Sequence, residues 1–136
     1  EWGGLILKDL LASLIMDGQE LEHPARGADH RIARALRTIH EQYGEDISVE
    51  QMAGEARLST VQFRKLFRKA LHAGPKAYLV EYRLRIAGDL LRTTALSVKE
   101  IAYETGFKDN RYFHLCFRRK YGITPLRYRE RVAGEM

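Results

Sequence analysis

Two stretches of the chain concentrate side chains able to do chemistry. Between residues 60 and 71, Val61, Arg64, Lys65 and Arg68 fall on one side of a helical projection, opposite Phe63, Leu66, Phe67 and Leu71. Between residues 110 and 121, Asn110, Arg111, His114, Leu115, Arg118 and Arg119 accompany an apolar set of Phe113, Cys116, Phe117 and Tyr121. Guanidinium, ammonium and amide groups at helical spacing donate hydrogen bonds and carry positive charge. Their natural partner is a polyanion that offers acceptors in a fixed geometry.

Catalysis does not fit these residues. An enzyme needs a converging acid, base or nucleophile. His40, His72 and His114 share neither a helix face nor metal-ligand spacing, the carboxylates are scattered and mostly cap or flank helices, and nothing resembles a phosphate loop. Neither a cofactor nor a metal is expected. Cys116 is the only cysteine, which excludes an intrachain disulfide and a cysteine-cluster metal site. Its place between Phe113 and Phe117 makes it a core thiol. Recognition of single-stranded RNA would use exposed aromatics, whereas these phenylalanines read as core. A pure protein-interaction module is disfavoured by the basic, polar face.

Charge is unevenly distributed. The chain carries +5, but residues 1–28 hold two bases against five acids, net −3, which leaves +8 for the remainder. Charge alone fits a solvated surface equally well. Hydrophobic residues make up 45% of the chain, enough for a packed core, and strand-like alternation is scarce. The fold class is all-α.

The elements that position these residues follow from caps and periodicity. Trp2–Met16 is rich in Leu and Ile, with Lys8, Asp9, Ser13 and Asp17 along one side of a broad apolar face. It reads as the last helix of an upstream domain or a dimerisation helix; packing on the rest of this chain is the alternative. Residues 17–28, with Gly18, Pro24 and Gly27, read as a linker, so the domain boundary falls between 1–28 and 29–136. The run is interrupted by charges and shorter than the ~20 residues of a membrane span. It also lacks the basic start of a signal peptide. An intracellular, cytoplasmic protein is expected, and the initial Glu1 suggests a piece of something longer.

Asp29 caps a helix whose stripe is Ile32, Leu36, Ile39 and Tyr43, ended by Gly44, with Arg31, Arg34 and Arg37 off the stripe. Ser48 with Gln51 forms a capping box for a helix burying Val49, Met52, Ala53 and Ala56, and Ser59 with Gln62 caps the next. Gly74-Pro75 opens a helix running to Thr93, roughly 28 Å long at 1.5 Å per residue, with Leu79, Tyr82, Ile86 and Leu90 as its stripe. Ser97 with Glu100 caps another short helix, which turns at Gly106-Phe107 into a helix capped by Asp109 and stopped by Gly122. Thr124-Pro125 starts a short last helix carrying Tyr128.

Helix, tight turn, helix therefore occurs twice, over about 48–72 and 97–121. Ser48 and Ser97, Val49 and Val98, Ala53 and Ala102, and Leu58 and Phe107 are each 49 residues apart. Past the turn the offset becomes 50, in Phe63 and Phe113, Phe67 and Phe117, Pro75 and Pro125, Tyr78 and Tyr128. This is an internal duplication. In each copy the first helix cradles the second through two phenylalanines one turn apart. The opposite side is free to enter the major groove of B-DNA, which is wide enough for one helix. Two such helices on a rod of ~28 Å reach grooves one turn, about 34 Å, apart on one DNA face.

From about Ile32 to Arg131 the chain resembles the DNA-binding domain of the AraC/XylS family of bacterial transcription regulators. The resemblance rests most on Ile101-Ala102, Gly106-Phe107, Tyr112-Phe113, Phe117-Arg118-Arg119, Gly122, Thr124-Pro125 and Tyr128-Arg129. It implies seven helices, with two helix-turn-helix units on a central helix. It also implies a partner in double-stranded DNA carrying two half-sites about one turn apart, RNA polymerase as a further partner, and an effector-responsive regulatory domain that can mediate homodimer formation. The groove-facing positions of the family correspond here to Thr60, Val61, Arg64 and Lys65 in the first unit and Asn110, Arg111, His114 and Leu115 in the second. Arg suits guanine, Asn adenine and Val a thymine methyl, while Lys65 and Arg68 suit phosphates equally well. Backbone contacts are expected from the helix starts at Ser48 and Ser97 and from Arg68, Arg118, Arg119 and Arg127.

Three positions depart from the family pattern. Leu115 stands where a basic residue is common, which leaves a methyl contact or packing. His72 replaces the glycine that usually ends the first recognition helix, and Gly74 replaces a small hydroxyl cap. A less regular helix end is expected at His72.

Overall fold

A computed structural model describes residues 29–135. The proposed helix over Trp2–Met16, the 17–28 linker and the domain boundary lie outside the described residues. Seven helices follow in order: α1 (His30–Gln42), α2 (Val49–Glu55), α3 (Thr60–Leu71), α4 (Pro75–Thr93), α5 (Val98–Glu104), α6 (Asn110–Tyr121) and α7 (Pro125–Glu135). None among the described residues is long and apolar enough to cross a membrane.

The helix starts are set by local hydrogen bonds. Asp29 accepts from the Arg31 amide at 2.8 Å, and its carboxylate also takes the Arg31 side chain, Nε to Oδ1 at 2.9 Å. Those bonds hold the Asp29 carboxyl well below the usual carboxylate range and withdraw Arg31 from the set of open cations. Both halves of the capping box form at Ser59/Gln62 and at Ser97/Glu100. At Ser48 only one half forms: the hydroxyl accepts from the Gln51 amide at 2.9 Å, and the Gln51 side chain does not return the bond.

Two cores result, one per unit. The first gathers Ile32, Leu36, Ile39, Met52, Phe63, Phe67 and Leu79. The second gathers Leu84, Leu91, Ile101, Phe107, Phe113, Cys116 and Phe117. The duplicated phenylalanines adopt the same geometry. Phe63–Phe67 and Phe113–Phe117 have ring centroids 5.8 Å apart at 52° in both cases. The edge contacts Phe67–Tyr78 and Phe117–Tyr128 repeat at 5.7 and 5.5 Å. Burying each phenylalanine stabilises the fold by roughly 1.5–3 kcal/mol.

The central helix corrects the expected stripe. Its buried residues are Pro75, Leu79, Leu84, Ala87, Gly88 and Leu91, while Tyr82, Ile86 and Leu90 are only half-buried. The reason is that α4 serves two cores from two faces. Its beginning packs on unit 1 as α7 packs on unit 2, with Tyr78 matching Tyr128. Its end packs in unit 2 as α1 packs in unit 1: Leu84, Ala87, Gly88 and Leu91 reproduce the spacing of Ile32, Ala35, Leu36 and Ile39, 52 residues on. Gly88 admits the close approach of α6, since a Cβ there would lie 2.8 Å from the Tyr121 hydroxyl. Burial pushes the Tyr121 phenol upward, and the Tyr78 phenol up to about 12.

Two helix ends are alike where a difference was expected. His72 takes a left-handed conformation, φ 63°, and its amide donates to Arg68 O at 2.8 Å. Gly122, φ 82°, donates to Arg118 O at the same distance. The end of α3 is thus as regular as that of α6, with a left-handed residue and the closing hydrogen bond both in place. The last helix is eleven residues long. Arg129 on it donates to Leu91 O and Thr94 O, closing the end of α4.

Candidate nucleic-acid interface

Helices α3 and α6 each expose a cationic face. Each carries four bases and no acid: Arg64, Lys65, Arg68 and Lys69 on α3, and Arg111, Arg118, Arg119 and Lys120 on α6. Among the described residues only Lys120 of these eight is ion-paired, to Glu81 of α4. The other seven make no ion pair within the described residues and are open to a polyanion. Salt would weaken such an attraction, since exposed charges are screened over about 8–10 Å.

The phenylalanines orient these faces. Phe63 and Phe67, and Phe113 and Phe117, have no solvent exposure, which turns the opposite side of each helix outward. In unit 1, Val61, Arg64 and Lys65 are exposed, with Thr60 half-buried at the first helical position. In unit 2, Asn110 and Arg111 are exposed at the start of α6 and His114 is half-buried one turn on. Val61 and Leu115 are 59% and 51% exposed. Apolar side chains so open, in the middle of basic faces, match the chemistry of a thymine methyl.

His114 has one ring nitrogen committed to its own helix. Its Nδ1 donates to the Asn110 carbonyl at 2.8 Å. In the neutral ring that leaves Nε2 as an acceptor, suited to an exocyclic amino group of a base.

The backbone-contacting candidates divide. Arg118, Arg119 and Arg127 are exposed. Arg68 is exposed too, with its guanidinium beside Gly74, 3.4 Å from where a Cβ would stand. Ser48 and Ser97 spend their hydroxyls on capping, and the Ser97 amide is taken by Glu100 at 2.8 Å. A glutamate in the first turn of both α2 and α5, Glu50 and Glu100, offsets the attraction of those helix starts for phosphate.

Three features were not visible in the sequence reading. Tyr103 on α5 is 75% exposed. Arg57 in the first turn is left-handed, φ 59°. Arg83 bonds to Tyr43 O and Glu45 O, 40 and 38 residues away. The last is a long-range contact, for which no local pattern exists.

Comparison with known proteins agrees with this geometry. Residues 52–131 match a family model described as a helix-turn-helix domain. The chain is 33% identical over 99 residues to the HTH-type transcriptional regulator AlkR of Acinetobacter baylyi, covering 73% of this chain and 32% of that protein. It spans between 22% and 46% of the length of this and other curated relatives. Among solved structures it is similar to a transcriptional regulator from Chromobacterium violaceum described by its AraC-type DNA-binding domain. That match has a TM-score of 0.71 at 28% identity over 79% of this chain and 96% of that one. It is also similar to the DNA-binding domain of AdpA, a global transcriptional factor, solved in complex with a target DNA. Here the TM-score is 0.73 at 28% identity, over 77% of this chain and 95% of that one.

Proposed function

The chain belongs to the AraC/XylS family of helix-turn-helix DNA-binding transcription regulators, and from that premise we propose that α3 and α6 enter successive major grooves on one face of a duplex. The observation that carries this reading is the repeated pair of outward cationic helices on one nineteen-residue rod. In this reading Thr60, Val61, Arg64 and Lys65 meet the bases of one half-site, and Asn110, Arg111 and His114 those of the other. Ser48, Arg68, Ser97, Arg118, Arg119 and Arg127 hold the phosphate backbone, with the helix starts at Ser48 and Ser97 the weaker contributors.

Residues 1–28 then form the end of a regulatory module and its linker, which would bring effector response and dimerisation to the full-length protein, with RNA polymerase as downstream partner. The acidic balance of this segment against the basic remainder supports the division.

The test is a pair of alanine variants read on specific and non-specific duplexes across salt. Arg64→Ala and Arg111→Ala are each expected to lose ~1–3 kcal/mol on the specific site and to relax preference at one base. Equal losses on every sequence would reassign that arginine to phosphate, and an affinity insensitive to salt would count against DNA as the ligand.

A further inference from the structure

Arg83 sits in the stretch of α4 where the two cores overlap, Val80 already packing on the second. Tyr82 packs on the first core and Leu84 belongs to the second. The half-buried guanidinium leaves the helix sideways. It donates from Nε to Tyr43 O at 2.7 Å and from Nη2 to Glu45 O at 2.8 Å. Both carbonyls lie just past the end of α1, beyond its helical ladder, and Glu45 O also accepts from the Ile47 amide at 3.0 Å. A guanidinium can hold two such acceptors at once because its N–H groups point in fixed, different directions; an ammonium is a single point.

The turn of unit 2 rests on the same group. Gly106 has φ 97°, and a Cβ there would lie 2.6 Å from Tyr43 O and 2.7 Å from Arg83 Nε. From the other side Gly44 comes equally close: its Cβ would stand 2.8 Å from Glu104 O. Backbone thus meets backbone between the 43–46 loop of unit 1 and the 104–108 turn of unit 2. Lys108 Nζ closes the rim on Asp46 Oδ2 at 2.9 Å. Elsewhere, the helix pairs that pack most are within one unit or involve α4.

We infer that this contact is a spacing lock: Arg83, held by the Tyr43 and Glu45 carbonyls and covered by Gly106, fixes the angle between the two recognition helices and so determines which half-site spacing the protein accepts. The inference rests on the two-groove reading above. A rod shared by both cores fixes separation, but without a second contact its bending between the cores lets the two units pivot relative to one another. One added base pair moves a half-site by about 3.4 Å along the axis and by roughly 35° around it. A locked pair of readers rejects that displacement and a pivoting pair follows it.

The experiment takes the half-sites obtained by selection from random duplex DNA and places them at the preferred spacing and at one and two base pairs more or fewer. Wild-type affinity is expected to fall by about 30-fold or more at two base pairs off. Arg83→Met is expected to flatten that dependence to about 5-fold or less while binding an isolated half-site within about 2-fold of wild type. Gly44→Ala wedges a methyl against Glu104 O without touching Arg83, and is expected to shift or flatten the profile in a protein that keeps both cores. Spin labels on Gln62→Cys and Lys99→Cys, in a Cys116→Ala background without DNA, should give one narrow distance in the wild type and a broadened one in Arg83→Met. An unchanged spacing profile or label distance in both variants overturns the lock alone. A flat profile in the wild type overturns the lock together with the two-groove reading.

Discussion

The two units repeat each other in the core and part company at the turns. At the position between the first and second helices, unit 1 has Arg57 and unit 2 has Gly106; at the end of the second helix, unit 1 has His72 and unit 2 has Gly122. All four residues are left-handed, with φ between 59° and 97°. The backbone conformation is therefore the same, and the residue type does not decide it. At Gly106 the backbone of unit 1 and the Arg83 side chain occupy the space a Cβ would need. At Arg57 the side chain is exposed. Glycine is required where another unit is packed on the turn. Where the turn faces water, an L-residue is tolerated at about 1–2 kcal/mol.

That contrast can be broken most severely in the cores, where little should exist. Phe67→Ala and Phe117→Ala are each expected to cost about 3–5 kcal/mol, and by comparable amounts, because two of the ring contacts repeat in distance and angle, with Phe117 the costlier since it also packs on Tyr121 at 4.4 Å where unit 1 has Leu71. Denaturant titration reads both. A difference above about 2 kcal/mol would mean that the duplication is one of shape and not of packing.

At the turns the sign should reverse between units. Gly106→Ala is expected to destabilise by about 2–5 kcal/mol, combining left-handed strain with overpacking. Gly122→Ala, with open space around it, should cost only about 1 kcal/mol. Arg57→Gly and His72→Gly should each stabilise by up to about 1 kcal/mol. Thermal melts of the four variants check the order; a stabilising Gly106→Ala would refute the packing argument.

The smallest contrast lies in the caps. The box on α5 uses Glu100, whose carboxyl is held below its ordinary 4.5 by the Ser97 amide and then the Ser97 hydroxyl. The corresponding residue in unit 1 is Gln51, and the box on α3 uses Gln62. A depressed carboxyl contributes stability above its unfolded value and loses it as pH falls through the folded one. The wild type should therefore lose stability relative to Glu100→Gln as pH drops below about 4.5. Parallel melting curves for the two proteins down to acid pH would contradict this role for Glu100.

Much of the fold was legible because it is written in local patterns. The caps at Asp29, Ser59, Ser97 and Asp109 and the phenylalanine pairs depend on residues two to four apart, the duplication on a fixed offset of 49 or 50, and the exposed faces of α3 and α6 follow as the opposites of the phenylalanines. The stripe of α4 misled because one period describes one face, and this helix packs on two cores from two faces. Arg83 was silent for another reason: its acceptors are carbonyls 40 and 38 residues back, and a carbonyl has no identity in a sequence. Arg57 and His72 were hard to place because a left-handed L-residue has no residue-type signature, unlike Gly106 and Gly122. Within the candidate interface, the outward cations could be expected from spacing. The tie of His114 to its own helix could not, since it depends on which nitrogen faces the Asn110 carbonyl.

The exposed faces of the two units also differ. Unit 1 offers Arg64 and Lys65 free of ion pairs, and unit 2 sets Leu115 among Asn110, Arg111 and His114. The most direct measurement is selection of bound sites from random duplex DNA with the full-length protein. Two half-sites centred about one helical turn apart are predicted, with the sharper base preference in the half-site read by α3. A single short site would contradict the account, because one of the two helices would then be part of the scaffold and not a reader.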